Sequence, residues 1–328
     1  MSIPILWRRR VWRARAIAWA GRRLRERGLA ITGEAEQFHI RPWSTVIRLP
    51  TERGTVFFKA TWPPQRFEAG LTAAIAKWAP NDVGRTIAID AKRGWLLLED
   101  AGPRLRQTIT KDRDIRHWHR VLPQYAELQI AMSSHIRQAL KLGTPDRRAT
   151  ALARQYARLL DEPFLLRVGL KEGLTKAQDK KLRDLSPQVL AWADEISIVP
   201  DTIQHDDLHD GQIFLRDGHY RILDWGDACV SHPFLSMSVV ERSVAYTLRL
   251  EPGSREISRL RDLYLEPFTA FASGPRLRAI YPIAIRLGWI SRALSWAAVV
   301  RYLSAREKRK ERGDVPRSLG RFLDLTSA

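Results

Sequence analysis

The stretch Gln204-His205-Asp206-Asp207-Leu208-His209-Asp210-Gly211-Gln212-Ile213-Phe214, followed by Ile222-Leu223-Asp224-Trp225-Gly226-Asp227, decides the reading of this 328-residue chain. Ile213-Phe214-Leu215-Arg216 has β propensity, Asp217-Gly218 is a tight-turn signal, and His219-Tyr220-Arg221-Ile222-Leu223 returns as a second strand. A short hairpin is predicted, with Asp207 before it and Asp224 after it. Such a hairpin brings a base and metal ligands to one end. Two carboxylates and the amide of Gln212 in this order suit phosphoryl transfer. One carboxylate accepts the proton of an acceptor hydroxyl, while the amide oxygen and the second carboxylate hold magnesium on ATP.

Asp207 and Gln212 stand in the D-x-x-x-x-[N/Q] spacing of a kinase catalytic loop, and Asp224-Trp225-Gly226 reads as D-F-G with Trp for Phe. The segment resembles the aminoglycoside phosphotransferase and choline kinase-like family, whose loop reads H-x-D-L-H-x-x-N and whose metal strand ends in I-D-W. His205, Asp207, Leu208 and His209 match the first pattern, and Leu223-Asp224-Trp225 matches the second with Leu for Ile. The resemblance implies that Asp207 is the catalytic base and that Gln212 and Asp224 are magnesium ligands. It further implies that His205 and His209 scaffold the loop backbone. Gln212 departs from the family's Asn. It keeps a neutral oxygen but adds a methylene, so the second metal site must shift or loosen.

Other readings of the same residues are a transition-metal cluster of His205, Asp206, His209 and Asp210, giving a phosphohydrolase, and a solvated acidic loop. The Gly211 break and the β run after it oppose the helix that i, i+4 ligation needs. A chance acidic loop does not explain D-W-G-D at kinase spacing.

Upstream, Gln37-Phe38-His39-Ile40, Thr45 to Leu49 and Thr55 to Ala60 read as three strands, separated by turn signals at Pro42 and at Glu52-Arg53-Gly54. The loop from Arg41 to Thr45 holds no glycine; Ser44 and Thr45 are its candidate phosphate donors. Lys59 ends an apolar run, a costly place for an ammonium unless it meets a charge. It is the candidate phosphate-pairing lysine, and Glu68, at the start of a helix from Phe67 to Ala79, is the glutamate expected to orient it. Ile87 to Ile89 and Gly94 to Leu98 complete the strands, and Glu99 to Pro103 forms a break where the family's adenine hinge lies. An appended basic helix from Arg10 to Gly28 precedes them, with Val11, Ala14, Ala18 and Leu24 as its apolar positions.

Beyond residue 104 the pattern turns helical: Asp114 to Leu140, Arg147 to Leu160, Thr175 to Ile196, then Val239 to Leu248, Glu256 to Ala272 and Ile280 to Tyr302. The expected fold is a two-lobed, protein kinase-like α+β protein. Residues 1–101 form the N-terminal helix and a small antiparallel-sheet lobe for nucleotide, and residues 102–328 form a larger, mainly helical catalytic and acceptor lobe.

One cysteine, Cys229, excludes an internal disulfide and points to a reducing cytosol. Arg8-Arg9-Arg10 lacks the apolar region an export signal needs, and the arginines within 280–302 argue against a transmembrane span. A cytoplasmic protein is expected. The net charge of +19 admits nucleic acid or an anionic membrane as partner, but no nucleic-acid-binding module is visible and an arginine-rich surface accounts for it. The expectation is an ATP- and magnesium-dependent kinase of a small-molecule hydroxyl. Asp227 serves as a supporting acid, and a nucleotide-binding pseudokinase is the alternative.

Overall fold

The computed structural model describes residues 2–327. The chain divides into two compact units, Met1–Pro103 with Phe214–Gly226, and Arg104–Ile213 with Asp227–Ala328.

In the first unit, β1 (Glu36–Ile40), β2 (Ser44–Thr51), β3 (Gly54–Thr61), β4 (Thr86–Asp90) and β5 (Trp95–Glu99) form one sheet in the order β1-β2-β3-β5-β4, every pairing antiparallel. Period-two alternation sorts the side chains. Val56, Phe58 and Ala60 of β3 join Trp95 and Leu97 of β5 on one face, beneath the helix α1 (Arg10–Arg25). On the other face Leu96 and Leu98 pack with Ala69 of α2 (Phe67–Trp78) and with Leu223. Lys59 pairs in register with Leu96, so its side chain leaves the sheet on the α2 side.

The buried positions of α1 are Ala16, Trp19, Ala20, Gly21 and Leu24, whereas Val11 is 65% exposed. The expected apolar stripe through Val11, Ala14 and Ala18 is therefore misplaced. Tryptophan buries far more area than alanine and sets the face. Trp19 lies edge-on to Trp95 at 5.6 Å and to Phe58 at 5.9 Å. Burying each such ring contributes roughly 1.5–3 kcal/mol.

Ile213–Arg216 and His219–Ile222 form the expected hairpin. Asp217 and Gly218 both have positive φ, 53° and 77°, as a tight two-residue turn requires. The hairpin is docked in the first unit by Leu215 N–H to Pro103 O at 2.9 Å and Ile222 N–H to Asp82 O at 2.8 Å. Gly102 makes the first contact possible. A Cβ there would lie 2.8 Å from Leu215 O, and its φ is +96°.

The second unit is helical apart from Thr202–Gln204, which pairs antiparallel with Cys229–Ser231 and holds the two ends of the quoted motif side by side. Its helices break where the local chemistry changes. Ser133 and Ser134 bond back to the carbonyls of Ile130 and Ala131, and the helix Arg116–Met132 gives way to a 3-10 turn. Pro187 starts a new helix, Ser186–Glu195, after Lys176–Asp184, and Pro267 tightens the chain after Arg255–Leu265. One helix among the described residues, Gly274–Val300, is long and apolar enough to cross a membrane. It is 72% buried over its most apolar window and packs on Asp314–Ser327, so it serves as the core helix of this unit.

Candidate active site

The first unit assembles Lys59, Glu68 and Asp224. Lys59 Nζ lies 2.5 Å from Glu68 Oε1 and 2.6 Å from Asp224 Oδ1. Burial opposes the ammonium, but the Asp224 and Glu68 carboxylates overcome it and hold Lys59 above its usual range. Glu68 is 2% exposed, and a Cβ on Gly226 would come within 3.1 Å of its Oε2, so the glycine lets the D-W-G turn lie against the ion pair. Asp224 has φ +69°, a strained value for a residue with a side chain, and its carboxylate is 46% exposed. A hard carboxylate oxygen presented this way suits a magnesium ion that keeps most of its waters.

Ser44 and Thr45 are the opening residues of β2 rather than loop residues. Thr45 is fully buried. Its hydroxyl donates to His39 O at 2.7 Å and accepts from Gln37 Nε2 at 2.8 Å, so it has no proton left for a phosphate. Ser44 is 6% exposed, with its Oγ 3.4 Å from His39 Nε2. The Thr45 hydroxyl expected to meet phosphate is instead buried and engaged within the sheet.

In the second unit the two adjacent aspartates have opposite environments. Asp206 is buried, with φ +62°. It accepts from Gln204 Nε2 at 2.9 Å, Ser291 Oγ and Ser295 Oγ each at 2.6 Å, and Arg147 Nη1 at 3.0 Å. Asp207 is partly exposed, and Arg292 Nη2 holds its Oδ1 at 2.9 Å. The same guanidinium grips Asp227 Oδ2 at 2.9 Å through Nη1. Burial disfavours the Arg292 charge, yet the carboxylates of Asp207, Asp227 and Asp206 raise its pKa further. Asp227 thus positions Asp207 through Arg292.

The histidines shape the loop. His205 is buried, takes Asp207 N–H on Nδ1 at 3.3 Å, and donates its own N–H to Tyr125 Oη at 3.0 Å. His209 Nδ1 accepts Gly211 N–H at 2.9 Å, and its carbonyl accepts Gln212 N–H at 2.8 Å. Gln212 is half-buried, with an amide oxygen that suits magnesium as a hard, neutral donor. Asp210 is fully buried against Arg106 and Thr247 Oγ1. His209 and Asp210 share Arg106, whereas His205 and Asp206 bond to Tyr125 and Arg147, and no cluster of metal-binding side chains forms among the described residues. Cys229 is buried, with burial pushing its thiol up to about 12, as suits a structural thiol. Arg147 and Arg292 escaped sequence reading. The one signal for either is that Arg292 interrupts, with Arg286 and Arg301, an otherwise apolar helical run at 280–302.

No protein-family model matches the chain, and no curated protein matches it in sequence. Solved structures do. The GDP complex of an aminoglycoside 2′-phosphotransferase superposes with a TM-score of 0.60 at 11% identity, covering 95% of this chain and 97% of that one. A choline/ethanolamine kinase family protein from Mesorhizobium loti gives 0.60 at 13% identity, over 91% and 90%. An amicoumacin kinase with AMP-PNP and calcium gives 0.52 at 14%, over 89% and 88%. The fold is the bilobal, protein kinase-like α+β fold of the aminoglycoside phosphotransferase and choline kinase-like proteins.

Proposed function

We propose that this protein is an ATP- and magnesium-dependent kinase that transfers the γ-phosphate to a hydroxyl of a small molecule. The observation that carries the reading is the Lys59–Glu68–Asp224 ion-pair set in a unit that also holds the five-stranded sheet. A cation held by two carboxylates on a strand is the phosphate-positioning device of this fold. The neighbours whose structures contain GDP or AMP-PNP support a nucleotide as donor.

Asp207 takes the hydrogen bond of the acceptor O–H and orients the oxygen. As the O–P bond forms and the bond to the ADP oxygen breaks, the hydroxyl proton passes to Asp207. Arg292 fixes the carboxylate's direction and Asp227 fixes Arg292. Lys59, oriented by Glu68, pairs with the α- and β-phosphates. Asp224 and the Gln212 amide oxygen would hold magnesium, which neutralises charge on the phosphates. ATP supply and a single buried thiol suit the cytoplasm.

Two outcomes test this assignment. Asp224→Ala is expected to weaken Mg·ATP binding by about tenfold or more, since the remaining protein ligand is neutral. Calorimetric titration with and without chelator checks it, and wild-type affinity that ignores chelator favours a pseudokinase. Gln212→Asn is expected to leave kcat unchanged or lower it, because the loop around Gln212 is fixed by His209. A clear rate gain across a magnesium titration would mark Gln212 as a step towards lost activity.

A further inference from the structure

A cavity of about 940 Å³ opens beside Asp207 within the second unit. Its lining includes seven arginines and three acidic residues. Three of the arginines have carboxylate partners: Arg292 holds Asp207, Arg106 holds Asp210, and Arg317 lies 2.5 Å from Asp314. Arg113, Arg242, Arg249 and Arg321 make no salt bridge among the described residues. Glu251 is the one lining acid outside these pairs.

The aromatic surfaces point the same way. A cationic acceptor would need open indole faces or surplus carboxylates. The two lining tryptophans already carry guanidinium groups, Arg292 at 5.3 Å from the Trp296 ring centre and Arg321 at 4.9 Å from Trp289. Burial, then repulsion from Arg242 and Arg317, lowers the Arg321 pKa, so like charges converge on this wall. An arginine-lined concavity with low-dielectric walls concentrates anions. Guanidinium groups match phosphate and carboxylate geometry.

We propose that the acceptor is an anionic hydroxyl compound, a small molecule bearing phosphate or carboxylate, held by the unpaired arginines of this cavity with its hydroxyl presented to Asp207. This specifies the substrate of the phosphotransfer read above and rests on that reading for its chemistry, though not for its binding.

The test uses the full chain, wild type and Arg242→Gln/Arg321→Gln, with a panel of sugar phosphates and glycerol 3-phosphate, a hydroxycarboxylate arm led by gluconate, and cationic choline, ethanolamine and kanamycin. Direct binding is measured by calorimetry with AMP-PNP and magnesium present, and phosphorylation by product mass. At least one anionic compound should bind and be phosphorylated, with affinity falling as salt rises. The double variant should weaken it about tenfold or more, the scale of a lost charge-assisted contact. Arg242→Lys/Arg321→Lys should recover part of the loss. The stronger of the two anionic arms identifies the group recognised. Preferential binding or phosphorylation of a cationic compound, or anion affinity unmoved by the glutamine pair, would overturn the proposal while leaving the kinase reading intact. Anion binding sensitive to the arginines, with no phosphorylated product, would support the cavity assignment and remove the kinase reading.

Discussion

Asp207→Asn should lower kcat by about two to four decades, the usual worth of a positioned base. Folding and nucleotide affinity should stay close to wild type. The carboxylate is partly exposed, and an asparagine oxygen can still accept from Arg292, so the loop keeps its shape. The variant thus separates the proposed base from the residues that build the loop. Turnover measured at saturating ATP and magnesium checks it, with thermal unfolding as the control for folding. Wild-type turnover would remove Asp207 from the mechanism.

The neighbouring aspartate should fail in the opposite way. Asp206→Ala leaves the Arg147 guanidinium, 4% exposed, buried without its carboxylate. Breaking a buried pair by removing one partner costs about 3–5 kcal/mol. At ~2–4 °C per kcal/mol for a unit of this size, the melting temperature should fall by roughly 6–20 °C. Ser291 and Ser295, which donate to the same carboxylate, lose an acceptor as well. Adding Arg147→Met should restore part of the stability, because the uncompensated charge goes with it. An unchanged melting temperature in Asp206→Ala would contradict the network's structural role.

The hairpin is legible from its turn dipeptide and Lys59 from a charge stranded in an apolar run; Glu68 is legible from its place at a helix start and Asp224 only through the D-W-G triplet. The distinction between Asp206 and Asp207 was legible only through the motif's spacing. The partners that enforce it, Arg147 and Arg292, lie 59 and 85 positions away in sequence, and nothing local ties either to its aspartate. Thr45 lies in the strand that its β-branched run predicts; what local sequence does not show is the burial that turns its hydroxyl onto His39 O. The buried face of α1 departs from its aliphatic spacing because Trp19 buries far more surface than an alanine. Helix breaks at Ser133–His135 and after Asp184 follow from serine back-bonding and from Pro187, signals outvoted by the longer apolar period.

The most direct test of the central claim is transfer of label from γ-labelled ATP to small hydroxyl acceptors, run on wild type and Asp207→Asn with and without magnesium. Phosphotransfer predicts a labelled acceptor and one ADP per label in wild type, lost on magnesium removal and reduced by about two decades or more in Asp207→Asn. Tight nucleotide binding indifferent to magnesium, with no label on any acceptor from either protein, would contradict it.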